Sequence, residues 1–230
     1  MRSRLAFVTA FAVVSMMHAE AKALSVPYVE DFVTSASGWT DSASSPLAWQ
    51  ASGGPDDGSY ASESQSWFGF ASPFPGVGPV TFRGNGTASG GAFAGDWLAA
   101  SVDTISVWIY NGTPAALTPF LRVATSANFP GAVFFQTESV AADSWGQVSF
   151  DIDPSSPLCT QEIPTWTCAQ ALQNVGIIQF GTDAPDSLVA SNQSYTLGID
   201  KVSINAVPEP ASAALLSAAP AGLALRRRRG

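Results

Sequence analysis

Histidine usage limits the chemistry available to this sequence. The chain has one histidine, His18, and it lies in an apolar leader ahead of the main body. Residues 24–206 therefore hold no imidazole, which excludes a Ser-His-Asp or Cys-His nucleophile and any histidine-ligated zinc or iron centre. Carboxylates, tyrosines, tryptophans and Lys201 remain. Two carboxylates can run acid–base glycoside chemistry when held about 5–5.5 Å or 6.5–9.5 Å apart, and Glu63, Glu138 and Glu162 are the ones to consider. With sixteen acids in residues 24–206 a close pair arises easily by chance, and none is flanked by a catalytic motif. Aromatic rings offer a second chemistry, stacking on the apolar face of a pyranose while Asp, Asn and Gln bind hydroxyls. All seven tryptophans lie in the body. The candidates are Trp49, Tyr60, Trp67, Trp108 and Tyr110, each weighed against a place in the core. Trp108 and Tyr110 form the best pair, because their own strand sets them opposite an aliphatic face.

Charge narrows the partners. The chain has 10 Lys+Arg against 18 Asp+Glu, but most of the basic residues sit near the two ends. Only Arg83, Arg122 and Lys201 fall in residues 24–206, so the body carries a net charge of −13. It lacks the basic footprint that neutralises phosphates, which excludes nucleic acid as a partner. An anionic membrane surface is disfavoured for the same reason, whereas a divalent cation is a natural counter-ion. Cys159 and Cys168, with Thr160 to Thr167 between them, read as a disulfide closing a short loop in an exported protein. A redox pair would have two intervening residues.

The elements that must position these groups read as strands. Gly, Pro, Ser, Thr, Asn and Asp punctuate residues 24–206 every 8–12 residues, and no long segment keeps a helical period. Short alternating runs predict one all-β domain, an antiparallel sandwich. The clearest strand is Asp103 to Tyr110, with Ile105, Val107 and Ile109 on one face and Thr104, Ser106, Trp108 and Tyr110 on the other. Further strands are expected at Val26–Val33, Leu47–Gln50, Trp67–Phe70, Val80–Arg83, Phe120–Thr125, Val133–Thr137, Gln147–Asp151, Val175–Phe180 and Tyr195–Ile204. Gln170 to Val175 predicts one or two helical turns.

Both ends read as address labels. Arg2 and Arg4 precede an apolar run from Leu5 to Met17 and small-x-small sites up to Ala23, the pattern of a secretory signal peptide over residues 1–23, with cleavage leaving Leu24 first. At the other end Val207-Pro208-Glu209-Pro210 precedes a short apolar run, Ala211 to Leu225, and then Arg226, Arg227, Arg228 and Arg229. This tail resembles the PEP-CTERM sorting signal of Gram-negative exported proteins. The resemblance implies a short hydrophobic sorting helix over part of residues 207–230, transient inner-membrane anchoring, and processing by an exosortase near the Pro-Glu-Pro strip. Pro220 departs from a straight span.

The body carries a second resemblance. Glu30-Asp31-Phe32 leading to Gly38-Trp39, the loop Gly53-Gly54-Pro55-Asp56-Asp57-Gly58-Ser59-Tyr60, and Gly198-Ile199-Asp200-Lys201-Val202-Ser203-Ile204 look like the jelly-roll sandwich of carbohydrate-binding modules and galactose-binding-like domains. In that fold the first and last strands lie side by side and often hold a structural calcium. By position, Glu30 or Asp31 would meet Asp200, with carbonyls from Asp57 to Ser59 completing the shell. The expectation is an exported cell-surface or matrix protein whose non-catalytic sandwich binds exopolysaccharide. A carboxylate-dependent glycosidase and a protein-binding adhesin are the alternatives.

Overall fold

In the computed structural model, which describes residues 24–71 and 77–206, the short alternating runs pair into two antiparallel sheets. Eleven strands are present among the described residues: β1 (Tyr28–Glu30), β2 (Ala48–Gln50), β3 (Tyr60–Ser66), β4 (Val80–Asn85), β5 (Val102–Asn111), β6 (Pro119–Ala124), β7 (Gly131–Phe135), β8 (Ser144–Asp151), β9 (Cys159–Gln161), β10 (Ile177–Thr182) and β11 (Ser194–Ala206). One sheet runs β2-β3-β11-β5-β8, with β1 also on β11; the other runs β4-β10-β6-β7-β9. They stack as a jelly-roll sandwich. First and last strands lie together as expected, with Tyr28 opposite Ile204 and Glu30 opposite Val202.

Alternation along β5 sets the architecture. Ile105, Val107 and Ile109 are buried, while Ser106, Trp108 and Tyr110 are half-exposed on the other side. The buried row meets Leu121 and Val123 of β6 and Ile178 and Phe180 of β10 in one core. β11 serves two neighbours on one flank, β3 along its first half and β1 along its second. Its register against β5 shifts between Asp200 and Ser203, where Lys201 takes φ +46°. Such a bulge inserts one residue and resets the side-chain alternation. Asp200 consequently shares the outer face with Trp108, while Val202 and Ile204 turn into the core.

The sequence misplaced one strand and missed another. Trp67–Phe70 is a turn, closed by Phe70 N–H donating to Trp67 O. The strand there is β3, whose run Ser-Glu-Ser-Gln-Ser carries little hydrophobic signal; its backbone ladder with β11 and β2 holds it. β9 is equally polar and short, tied to β7 by its ladder. The predicted helical turn is α1 (Cys168–Gln173), begun by a capping box. Thr167 Oγ1 accepts from Gln170 N–H at 3.2 Å, and Gln170 Oε1 accepts from Thr167 N–H at 2.9 Å. A second short helix, α2 (Asp186–Val189), follows β10.

Cys159 and Cys168 form the expected disulfide, joining β9 to the start of α1. A ring spanning a sequence separation of 9 removes entropy from the unfolded chain worth about 2–3 kcal/mol in the loop-closure model. Replacing both cysteines with serine should lower unfolding free energy by that amount, read by urea denaturation. A double variant as stable as the parent would remove this role.

Glu63 sits on the core-facing side of β3, opposite Leu197, and its buried Oε1 has no protein hydrogen-bond partner. Burial pushes its carboxyl up to about 8, and the nearby Asp41 charge adds to the rise. The folded protein thus holds a proton there that the unfolded chain releases near the ordinary glutamate value. The group's contribution to stability is full below about pH 4.5 and is lost as pH rises through about 8. Glu63→Gln should therefore gain stability over the parent as pH goes from 5 to 8.5; a difference independent of pH would contradict this.

The segments 1–23 and 207–230, which carry the signal-peptide and sorting-signal readings, lie outside the described residues. Among the described residues no helix is long and apolar enough to cross a membrane.

Candidate ligand-binding face

Pairing in the six-stranded sheet brings distant aromatics to one surface. Across the outer face one row carries Ala48, Ser62, Gly198, Tyr110 and Trp145; the next carries Gln50, Tyr60, Asp200, Trp108 and Gln147. Tyr60, Tyr110 and Trp145 pack together. Tyr60 meets Trp145 edge-on at 5.2 Å between centroids and 89° between planes, and Tyr110 meets it at 5.6 Å and 47°. Gly198 lies beneath all three. A Cβ there would stand 2.9 Å from Trp145 Cη2 and 3.0 Å from both Tyr110 Cβ and Tyr60 Cδ2. Only glycine lets the indole reach over β5 to rest on β11. The other end of the ring is tied as well, since Trp145 Nε1–H donates to Gly53 O at 2.9 Å. The indole is fixed before any ligand arrives, which lowers the ordering cost of binding. Beside it, Gln50 Nε2–H donates to Ser62 Oγ at 3.1 Å.

The acceptor at Gly53 belongs to a tight loop that covers one end of this face. Gly54 N–H donates to Gly58 O at 2.9 Å and Asp57 N–H to Gly54 O at 3.0 Å. Gly53 takes φ +95°, which favours glycine. The loop is held down by an ion pair between the Asp56 carboxylate and the Lys201 ammonium. Gly54 passes close to Asp200; a Cβ on it would meet Gly58 O at 2.9 Å and Asp200 Oδ2 at 3.3 Å. Asp200 is buried under this loop despite its place on the outer face. Burial pushes its carboxyl up to about 6. The hydrogen bond from Lys201 N–H, at 2.8 Å, opposes the rise, and the charge of Asp31 adds to it.

The structure divides the sequence-predicted residues. Tyr60, Trp108 and Tyr110 do share one accessible face. Trp67 does not. It is fully buried, its Nε1–H donates to Asp183 O at 3.1 Å, and Tyr195 packs on it, so it is a core residue with no surface for a ligand. Trp49 pairs with Ala61 on the core-facing side of the sheet edge, away from Tyr60, and its Nε1–H donates to Phe32 O at 2.7 Å. Although 40% exposed, it is not part of the aromatic cluster. Trp145 was the residue missed. The alternation Trp145, Gln147, Ser149, Asp151 against Val148 and Phe150 would have placed it on the polar side.

Of the two acids expected as partners of Asp200 at a cation, Glu30 or Asp31, Glu30 is set apart from it. Glu30 opposes Val202 and points into the sandwich, where Oε1 accepts from Phe32 N–H at 2.9 Å and Oε2 from Tyr28 O–H at 3.3 Å. Asp200 lies on the opposite face. Asp31 is close enough to Asp200 to act on its charge. Among the described residues no group of three or more Asp, Glu, Cys or His side chains converges to hold a metal ion. The residues therefore do not fit a three-carboxylate calcium site through Glu30. They leave Asp31, Asp200 and the carbonyls of the Gly53–Gly58 loop, where the missing Gly54 Cβ leaves room. Glu63, Glu138 and Glu162 do not come together either: Glu63 faces the core, Glu138 follows β7, and Glu162 is bonded to Arg122 at 2.5 Å on the other sheet.

Fold and face together describe a jelly-roll β-sandwich carrying an aromatic platform on one outer sheet surface. The chain is similar to the CBM22-1–GH10 modules of Clostridium thermocellum endo-1,4-beta-D-xylanase 10B complexed with xylohexaose, at 11% identity over 79% of this chain with TM-score 0.46. It spans 28% of the length of that chain. It is also similar to the family 11 carbohydrate-binding module of the C. thermocellum cellulosomal cellulase Lic26A-Cel5E (13% identity, 80% of this chain and 96% of that one, TM-score 0.43). A third likeness is to the K1 cleaved adhesin domain of Porphyromonas gingivalis Lys-gingipain (12% identity, 80% and 100% coverage, TM-score 0.40). No protein-family model and no curated protein matches the sequence.

Proposed function

We propose that this is an exported, surface-sorted protein whose non-catalytic sandwich binds polysaccharide through the outer face of the six-stranded sheet. The observation that carries the reading is the pre-set Trp145 ring over Gly198, flanked by Tyr60 and Tyr110 with Trp108 in the neighbouring row. Rigid, half-exposed rings bordered by Gln50, Ser62 and Gln147 suit stacking on a sugar with hydroxyls bonded at the edges. Export is supported by the leader and by the Cys159–Cys168 disulfide, a bond that persists in oxidising compartments. Sorting by an exosortase, with transient anchoring through Val207–Arg229, rests on the sequence of the tail. The test is a polysaccharide and glycan panel, with retention in affinity electrophoresis as readout. Binding that survives loss of the platform rings would overturn the reading, and a panel without binders would favour the protein-adhesin alternative.

We also propose a structural calcium ion held by Asp31, Asp200 and carbonyls of the Gly53–Gly58 loop, since Ca²⁺ takes 6–8 oxygen ligands and offsets a buried negative charge. Millimolar calcium should raise the melting temperature by several degrees and a chelator should reverse it. The shift should vanish in Asp200→Asn. An unchanged melting temperature in the parent protein would end this proposal.

A further inference from the structure

Building on the glycan-binding reading of the outer face, we infer that this face, without bound calcium, accepts uncharged polysaccharides and rejects acidic ones, through the absence of any available cationic side chain and a surrounding excess of carboxylates. Recognition of a uronate or sulfate group calls for a guanidinium or ammonium that can meet the anion. Residues 24–206 contain three such side chains: one is ion-paired at the foot of the loop and two lie on the other sheet. The Lys201 ammonium is taken by Asp56 at the foot of the loop. Arg122 belongs to the other sheet, where Glu162 receives its Nε–H at 2.5 Å and an Nη2–H at 3.0 Å, Asn128 Oδ1 receives an Nη1–H at 2.8 Å, and Gln179 receives another. Arg83 pairs across that same sheet with Gln179 and donates to Ser44 Oγ at 3.1 Å.

Acids, by contrast, surround the platform. Asp57 sits exposed in the covering loop, Asp143 precedes β8, and Asp151 ends the same outer row that begins at Trp145. A polyanion laid along this face would meet repulsion from several of them at once, with no pair formed in return. A neutral sugar hydroxyl instead donates to Gln, Ser or Asp acceptors at no Coulombic cost. Because the acids are solvent-screened, the discrimination must depend on ionic strength. The screening length shrinks from about 30 Å at 0.01 M to about 3 Å at 1 M salt.

The experiment, run with a chelator present so that no calcium bridges a uronate to the face, compares neutral polymers (xylan, mannan, mixed-linkage β-glucan) with polygalacturonate and alginate. It uses the protein with Arg226, Arg227, Arg228 and Arg229 each changed to Gln, so that the tail cannot bind polyanions. At low salt the acidic polymers should bind at least about tenfold more weakly than the best neutral one, and the gap should narrow at about 0.5 M salt. Asp151→Lys should strengthen acidic-polymer binding at low salt while leaving neutral binding unchanged. Equal or tighter binding of the acidic polymers at low salt would overturn the inference yet leave the face a glycan site. A gap unaffected by salt and by Asp151→Lys would assign the selectivity to shape and overturn the electrostatic account. Binding to no polymer would sink the site itself and the inference with it.

Discussion

Trp145→Ala is expected to cut polysaccharide affinity by about 30-fold or more while leaving the protein folded. Central aromatic anchors typically account for at least about 2 kcal/mol of binding, and a change of that size is close to 30-fold. Trp145 fits the role of an anchor because it is half-exposed, held at Nε1 by Gly53 O, and laid over Gly198 between Tyr60 and Tyr110. Truncation removes the stacking surface and releases its two neighbours. Gly198→Val should reproduce the loss from below, since its Cβ would stand within 3.0 Å of all three residues and lift the indole. Ser149→Ala, exposed on the same strand and away from the rings, should leave affinity unchanged. Calorimetry on all three variants, with circular dichroism as a check on folding, gives the answer. Parent-like affinity in a folded Trp145→Ala protein would eliminate the platform as the binding site.

The largest stability effect is expected at Trp39. Its ring is fully buried at the junction of the two sheets. Phe32 and Phe93 meet it edge-on at 5.9 and 5.8 Å, Phe180 stacks on it at 6.2 Å with 13° between planes, and its Nε1–H donates to Ser89 Oγ at 2.9 Å. Gly84 leaves it room, since a Cβ there would stand 3.1 Å from the indole. Trp39→Ala should cost about 3–5 kcal/mol, the range for emptying a large aromatic site. The cost falls toward the upper end because three aromatic neighbours anchored on different segments cannot all close in. Urea denaturation reads the loss, and a shift below about 1 kcal/mol would mean that the neighbours collapse into the space. Trp39→Phe should recover part of the loss, lacking only the outer ring and the bond to Ser89.

Local pattern carried much of the fold. The alternation in β5 was enough to say which of its side chains face inward, because the side-chain period of a strand is independent of what lies across from it. It failed for β3 and β9. Their hydrophobic signal is weak and their stability comes from backbone ladders with β11, β2 and β7, partners far away in sequence. The bulge at Lys201 shows the same limit from another side. Counting by twos through Asp200, Lys201 and Val202 would put Asp200 and Val202 on one face, yet the inserted residue sends Asp200 outward and Val202 inward. That single backbone event puts Asp200 on the opposite face from Glu30, which leaves Asp31 as the acid beside it.

The amino-acid sequence by itself determined the all-β character, the heavy negative charge of the body, the absence of imidazole chemistry from it, and the cysteine pairing. These follow from composition and from short-range periodicity, which need no knowledge of distant contacts. Only the tertiary structure decided that Trp67 is core, that Trp49 stands apart, and that Tyr60, Tyr110 and Trp145 meet over Gly198. Alternation says which residues share a side of a strand. Whether that side is covered by a second sheet or left open, and which strands lie beside it, depends on pairing between segments far apart in sequence, as Ser62 is from Gly198 and Tyr28 from Ile204.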